Sequence, residues 1–315
     1  MLHNKEIYDL AKNARLSYYP QRLNDNPLNK RSDSPKRNFY KTTVFGEVAN
    51  TDYEGEINKH GDSVVIRQNP TITVNAYELG GTLTYEVPTA ASLDLLIDKA
   101  YAWAFQVADI DDTQADVDIM GMASQDAAEQ LRIKIDVEVL SYLYDQGHAS
   151  NMGSAAGAIT SAINLGTSGT QVTAVPSGVL DMLVDWNQVL DENDVGPENR
   201  WVILPAWMCA MLKKGDLKRA DVTGDDTGVV RTGLIGMVDR FKIYQSNNVY
   251  STSGTSGGFF IPFGTNEALT FASQLVKTES LMIPSAFGTY FRGLHVYGRK
   301  VVQPKALGIA LVVKG

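Results

Sequence analysis

Apolar and polar positions alternate through the first third of the chain, a period-two pattern that predicts β structure over residues 42–110. Around Asp98–Lys99 the alternation runs in two blocks, which favours two strands within 92–107. The Ala and Leu content of that stretch leaves a helix as the alternative. Short β-branched runs add strand candidates at Ser63–Arg67, Pro70–Val74 and Thr82–Val87.

A helical period replaces the alternation after Asp111–Asp112. Leu131, Ile135 and Val139 share one stripe, which predicts a long helix over about 112–146. Acidic residues in the first turn suit the positive end of a helix dipole, and Gly147 is a typical terminator. At 1.5 Å per residue such a helix approaches about 50 Å, which is long for a compact protein.

The rest of the chain mixes helical and strand patterns, which predicts an α+β domain followed by C-terminal sheet. Residues 148–175 are rich in Gly, Ala, Ser and Thr and predict a boundary or a mobile loop, and 216–232 and 251–258 predict further loops. The predicted helices are 176–194 and Ala206–Lys214. The predicted strands are Arg200–Leu204, Phe241–Gln245, Ile261–Phe271, Lys277–Met282, Phe287–Pro304 and Ala306–Val313.

Charge is distributed unevenly along the sequence. The chain has a net charge of −8, yet residues 1–41 carry nine Lys and Arg residues against four acidic ones. A short amphipathic helix is predicted at Glu6–Leu16, and three prolines then make 17–41 an extended arm. The basic arm indicates an acidic partner, either DNA or the body of a neighbouring subunit, with a solvated tail as the alternative. No apolar run reaches about 18 residues, so no membrane-spanning helix is predicted.

Candidate catalytic and metal-binding residues are sparse. Cys209 is the only cysteine, which excludes intramolecular disulfides and multi-cysteine zinc sites within one chain. Cys209 and His295 form a possible nucleophile and base, but the apolar helix pattern around Cys209 is typical of an inert buried thiol. No glycine-rich phosphate-binding motif is present.

Two further groups of side chains have both a functional and an ordinary interpretation. An acidic run is either a calcium site or a solvated helix N-terminus, and it lacks the central Gly and the terminal Glu of a calcium loop. Four aromatic residues at strand spacing favour core or interface packing over a base-stacking platform. The acidic run is Asp109, Asp111, Asp112, Asp116 and Asp118, and the aromatic residues are Phe287, Tyr290, Phe291 and Tyr297.

Several segments resemble the major capsid proteins of tailed bacteriophages. Four of them, Arg200–Met208, Asp216–Gly224, Gly233–Phe241 and Tyr244–Asn248, are similar to the axial domain of that family, and Val296–Val301 is similar to its closing strands. The order of predicted elements is also similar, with a basic arm, a β excursion, one long helix, an α+β domain and C-terminal strands. The resemblance covers most of the chain and is best over 176–313.

This resemblance implies an α+β Hong Kong 97-type fold. Its parts would be an N-terminal arm at 1–50, an extended β-hairpin loop (E-loop) with flanking strands at 51–110, and an axial domain at 176–285. The peripheral domain, which includes the spine helix at about 112–146, would consist of 111–175 plus 286–315.

The resemblance further implies a major capsid protein that self-assembles, as pentamers and hexamers, into the icosahedral head enclosing the double-stranded DNA of a tailed phage. The implied partners are other copies of the chain, a separate scaffolding protein and a portal, with no membrane and no sequence-specific binding of DNA. The implied location is the virion, after assembly in the host cytoplasm, and no catalysis, cofactor or metal is expected. The alternatives are an encapsulin-like nanocompartment shell, a β-rich adhesin or tail protein, and a small hydrolase using Cys209.

Two groups of residues are predicted to contact neighbouring subunits. An arm with little core must be ordered by contacts outside itself, and a two-stranded excursion is marginally stable alone in water. The predicted arm contacts are Lys5, Arg15, Arg22, Arg31, Lys36 and Arg37. The predicted E-loop contacts are Ile66, Arg67, Ile72, Tyr77, Leu83 and Tyr85.

Overall fold

The computed structural model divides the chain into two units, residues 1–38 and 39–315, and the structure describes residues of the second unit. The described residues are 40–52, 63–68, 70, 72–76, 79, 85–88, 92–108, 119–215, 236–253, 257–282 and 287–315. The predicted helix at Glu6–Leu16, the arm contacts, the acidic run from Asp109 and the loop 216–232 therefore lie outside them.

Helices α1 to α4 span Phe45–Val48, Ile119–Leu143, Val179–Glu192 and Ala206–Lys214, and short 3-10 turns lie at Ala149–Asn151 and Pro304–Ala306. The predicted long helix corresponds to α2, which has 25 residues, or about 37 Å. Its buried apolar side chains, Ile135, Val139, Leu140 and Leu143, lie in its C-terminal half, as does the buried Asp136. Helix α1 lies within a range predicted to be β, and that prediction is wrong at this point.

The first sheet has three antiparallel strands in the order β10-β11-β3. These strands are β3 (Lys99–Ala108), β10 (Leu269–Met282) and β11 (Gly288–Val301). Helix α2 packs on one face, where its Glu138 accepts hydrogen bonds from the Tyr297 hydroxyl at 2.9 Å and from Arg299 Nε at 2.8 Å. The C-terminal half of the long helix is thereby fixed to the sheet.

A small antiparallel sheet of β1 (Ser63–Arg67) and β2 (Ser92–Leu96) covers the other face of the first sheet. Its side chains form a separate cluster with Ala272 and Val296, which alternate with the helix-facing residues of their strands. Gly298 is needed there, because a Cβ at this position would overlap the Leu96 carbonyl oxygen. Strands β2 and β3 confirm the strand prediction for 92–107, although they pair with β1 and β11 and not with each other.

The second sheet has the order β4-β12-β9-β5-β7-β6, and β8 pairs with β9. Its strands are β4 (Val172–Ala174), β5 (Arg200–Leu204), β6 (Met237–Val238), β7 (Phe241–Gln245), β8 (Ser251–Thr252), β9 (Gly258–Thr265) and β12 (Leu307–Lys314). Every residue of β5 is buried, as expected for a continuous apolar strand covered on both faces. Trp186 of α3 stacks on Phe263 of β9, with ring centroids 5.3 Å apart.

Two stretches differ from their predicted character. Residues 148–175 were expected to form a boundary or loop with few structural restraints, yet Ala156, Leu165 and Ala174 are buried in the main core. Leu165 O accepts a hydrogen bond from the Leu311 amide at 2.7 Å, which attaches this segment to β12. Ser251–Thr252, within a predicted loop, is a strand because it pairs with β9.

Candidate intersubunit surfaces

The E-loop presents apolar side chains that this chain leaves uncovered. Val74, Tyr85 and Val87 are each more than 80% exposed, and Ile72 is 62% exposed. Residues 72–76 and 85–88 are described and form no strand. The described parts of the predicted strands Pro70–Val74 and Thr82–Val87 are therefore not strands. The Thr73 amide nevertheless donates to Glu86 Oε2 at 3.0 Å and links the two segments. Uncovered apolar surface of this kind marks a contact region.

The predicted E-loop contacts differ in their surroundings. Ile72, Tyr85 and Arg67 are exposed, whereas Tyr77 and Leu83 lie outside the described residues. The interpretation of Ile66 needs correction, because its side chain is 4% exposed and packs in the small cluster beneath β1 and β2. Alternation on β1 explains this, since Val64 and Ile66 face the first sheet and Val65 faces outward.

A second apolar surface lies where β10 turns into β11, and the contact predictions did not include it. Leu281, Met282, Phe287 and Tyr290 are exposed there, Met282 and Phe287 by more than 80%. We call these four residues the hairpin tip. The sequence alone indicated this surface. Turns normally carry polar residues, whereas Leu-Met precedes this turn and Phe follows it.

The four aromatic residues at strand spacing have different surroundings. Tyr297 is fully buried, where burial first and its hydrogen bond to Glu138 second raise the pKa of its hydroxyl far above the ordinary value. Phe291 stacks on Phe105 with centroids 5.4 Å apart, and Phe105 stacks on Trp103. These rings use one another as stacking partners, which favours packing, and only Phe287 and Tyr290 of the four are freely exposed.

The proposed nucleophile and base lie on different elements. Cys209 is buried on α4 beside the second sheet, with its Sγ 4.0 Å from the Leu204 carbonyl oxygen, whereas His295 lies on β11 of the first sheet. Burial raises the pKa of the Cys209 thiol to about 11, so it stays protonated near neutral pH. Burial also lowers the pKa of His295. This environment suits an inert thiol better than a nucleophile.

Metal-binding clusters and membrane-spanning helices are both absent from the described ranges. No group of three or more His, Cys, Asp or Glu residues there is arranged to hold a metal ion. No helix in the same part of the chain is long and apolar enough to cross a membrane.

Residues 42–50, near the start of the described chain, are fixed to the body, and we call them the arm root. Val44 and Val48 are buried in the main core. The Asn50 amide donates to Leu269 O at 2.8 Å, and the Phe271 amide donates back to Asn50 O at 2.9 Å. The arm root is therefore attached at a defined place beside β10.

Comparison with known proteins agrees with this arrangement. Residues 98–310, more than half of the chain, match the family described as phage capsid protein. No curated protein shows significant similarity to the chain. Similar solved structures are found in phages. One of them, from Mycobacterium phage Che8, is 26% identical in sequence and has a TM-score of 0.73. The match covers 91% of this chain and 98% of the Che8 chain.

Two more distant structures share the fold. The capsid structure of Cyanophage P-SCSP1u is 15% identical with a TM-score of 0.69, over 92% of this chain and 94% of its own. The mature capsid of bacteriophage PhiM1 is 12% identical with a TM-score of 0.64, and the match covers 91% of this chain and 92% of the PhiM1 chain. The chain belongs to the phage capsid protein family, and it is a major capsid protein with the α+β Hong Kong 97-type fold.

Proposed function

We propose that copies of this chain assemble, as rings of five and six, into the icosahedral head that encloses the double-stranded DNA of a tailed phage. The observation that carries this proposal is the row of uncovered apolar side chains on the E-loop. Heterologous contacts that close by rotation form rings, and many weak contacts per subunit add up to a stable shell. Assembly takes place in the host cytoplasm, and the finished protein resides in the virion.

The arm and the E-loop are the proposed contacts with neighbouring copies. The arm contacts are those predicted from sequence, Lys5, Arg15, Arg22, Arg31, Lys36 and Arg37. The charge difference between the basic arm and the acidic remainder supports contact with the body of a neighbouring subunit. In the E-loop, Ile72 and Tyr85 supply apolar area, Arg67 supplies charge, and Val74 and Val87 join them.

The proposed domain boundaries follow the sequence-based ones with two changes. Strand β10 belongs with the peripheral domain, because it pairs with β11 in the sheet that carries α2. Strands β4 and β12 belong with the axial domain, because β12 pairs with both β4 and β9. Residues 1–50 remain the arm and 51–110 the E-loop region.

The remaining partners are proposed from the family alone. A separate scaffolding protein directs assembly, a portal occupies one vertex, and the DNA is held without sequence-specific contacts. The net charge of −8 suits a wall that does not bind DNA tightly. The chain has a structural and not a catalytic role, which the buried, protonated Cys209 thiol supports.

Electron microscopy of purified protein tests the proposal directly. The wild-type chain, co-expressed with its scaffold where one is needed, is expected to give closed shells. Val74→Asp and Tyr85→Asp should abolish them, because burying an unpaired charge in an apolar contact is strongly unfavourable in every copy. The matched variants Val74→Ile and Tyr85→Phe keep the apolar surface and should assemble normally.

Thermal unfolding of the unassembled protein is the companion measurement. The Asp variants should melt at the wild-type temperature, because both side chains are more than 80% exposed. Normal shells from either Asp variant would show that the E-loop is not a contact. Monomers from the wild-type chain under all assembly conditions would refute the proposed function.

A further inference from the structure

A buried carboxylate lies in the middle of α2, away from the proposed contact surfaces. Asp136 is fully buried, and within the described part of the chain it forms no ion pair. Three N–H groups point at it instead. The Val44 and Phe45 amides donate to Oδ1 at 2.9 Å each, and Asn248 Nδ2 donates to Oδ2 at 2.7 Å. Such donors are what allows a carboxylate to remain inside a protein.

The three donors come from two separate parts of the fold. Val44 and Phe45 begin α1 in the arm root, and the Val44 side chain has no acceptor with which to cap that helix. Asp136 provides the missing acceptor from another element. Asn248 belongs to the turn that follows β7 in the second sheet. One carboxylate thus joins the arm root, the long helix and the second sheet.

A second set of hydrogen bonds lies where the chain enters the arm root. The Thr42 carbonyl oxygen accepts from Ser246 Oγ at 3.2 Å and from Asn248 Nδ2 at 3.4 Å. The backbone amide of Asn248 donates to Ser246 Oγ at 3.2 Å, and this hydrogen bond stabilises the turn. Thr42 is therefore held by the same turn that contacts Asp136.

We infer that Asp136 is a positioning residue for the arm root, holding it at one angle to the long helix and to the second sheet together. This inference rests on the proposed role of the arm in contacts between copies. An apolar side chain cannot orient two backbone N–H groups, whereas a carboxylate oxygen can.

Hydrogen exchange on the full-length chain tests the contact. Asp136→Ala should speed exchange in the segment 42–50 roughly tenfold or more, because two amides lose a charged acceptor. Exchange in 200–204 should stay at its wild-type rate. The matched control is Glu138→Gln, on the same helix, which weakens the contact with Arg299 and should leave 42–50 unchanged.

Asp136→Asn is the conservative variant. Oδ1 of residue 136 can still accept from the Val44 and Phe45 amides, and the Asn248 side chain can turn over so that its oxygen accepts from the new amide group. That rotation removes the Asn248 Nδ2 donor from the Thr42 carbonyl oxygen. Protection of 42–50 should therefore fall, but less than in Asp136→Ala, and an equal fall would show that acceptance at Oδ1 does not hold the arm root.

Particle formation connects the contact to function. Asp136→Ala should give several-fold fewer closed shells than Glu138→Gln at equal amounts of folded protein. Normal shells from Asp136→Ala, or unchanged exchange in 42–50, would overturn the inference alone. Absence of shells from the wild-type chain would instead overturn the proposed function, and the exchange rates would still report whether Asp136 holds the arm root.

Discussion

Single charged residues hold the axial domain together through many hydrogen bonds each. The Arg200 guanidinium is fully buried, donating to Asp191 Oδ1 at 2.6 Å and to Asn187 Oδ1 at 2.6 Å. It also donates to the Val195 and Gly196 carbonyl oxygens. Because these acceptors lie on α3 and on the loop before β5, Arg200 fixes that loop to the helix end.

Replacing Arg200 should therefore be costly. Arg200→Met is expected to lower the free energy of unfolding by at least about 3 kcal/mol, since several buried acceptors lose their donor together. Arg240→Met is the matched control, because Arg240 pairs with the same Asp191 at 2.7 Å but is half exposed, and it should cost at most about 1 kcal/mol. Chemical denaturation measures both, and equal losses would refute the distinction.

Glu192 should make stability depend on acid pH. Its carboxylate accepts from the Thr160 amide at 2.9 Å, from Gln188 Nε2 at 2.8 Å and from the Ile159 amide at 3.0 Å. The Thr160 amide first, then Gln188, lower its pKa from 4.5 to about 2. A lowered pKa gives stability that is present above pH 4.5 and is lost as the pH falls towards 2.

Glu192→Gln removes that ionisation and provides the comparison. The difference in melting temperature between wild type and Glu192→Gln should be largest near neutral pH and should shrink as the pH falls from 4.5 towards 2. A difference that stays constant across this range would show that the carboxylate charge contributes nothing.

At the level of elements, close contacts between strands depend on small residues at defined positions. Gly308 on β12 lies opposite Phe263 on β9, and a Cβ at 308 would overlap the Phe263 ring. Phe263 cannot move aside easily, because it is buried and stacked on Trp186. The pairing of β9 with β12 and the packing of α3 on the sheet therefore share one aromatic ring.

Gly308→Ala should destabilise the protein by about 1–3 kcal/mol through overpacking. Gly46→Ala is the control, since nothing lies within 4 Å of a Cβ at residue 46 and its effect should stay within about 1 kcal/mol. Thermal or chemical unfolding distinguishes the two. A neutral Gly308→Ala variant would mean that the ring has room to shift.

The elements differ in how far their sequences determine them. Arg200–Leu204, Ala206–Lys214 and Phe241–Gln245 were predicted with their observed bounds, because each is rich in apolar residues and lies between clear turn signals. Helix α1 was missed because four residues carry no periodicity and its cap comes from Asp136, far away in sequence. The strand partners were not predicted either. Strands β2 and β3 have the same alternating pattern, although β2 pairs with β1 and β3 pairs with β11.

The candidate contacts were predictable only in part. Exposed apolar residues such as Tyr85 could be identified because a two-stranded excursion was expected to need another surface on which to lie. Ile66 could not be distinguished from Val65 by composition, because only the pairing of β1 decides which of the two faces the sheet. The hairpin tip could have been identified, because the predicted strands Lys277–Met282 and Phe287–Pro304 already placed a turn between these apolar residues.

At the scale of the whole molecule, the main core lies in one part of the chain and the proposed contacts lie in another. The large core joins the second sheet, its helices, the arm root and part of α2, whereas β1 and β2 have a separate, smaller cluster. Regions with little core have low local stability and become ordered through their partners. The body should fold without the arm.

Deletion of residues 2–35 tests this separation. The shortened chain should remain folded, with a melting temperature within a few degrees of wild type, but it should form few closed shells. Deletion of 2–50 is the control, because it also removes Val44 and Val48 from the core and should unfold the body or destabilise it strongly. Circular dichroism and sedimentation measure the two effects, and normal shells from the shorter deletion would contradict the role of the arm.

The position of β12 has a consequence for protein synthesis. This strand lies between β4 and β9, although it is made after both of them. While residues 307–314 are still inside the ribosome, β4 and β9 have no partner between them and the sheet cannot close. Domains can begin to fold during translation, but this one must wait for its last strand. A nascent chain therefore offers no finished axial domain to its neighbours until β12 has left the ribosome.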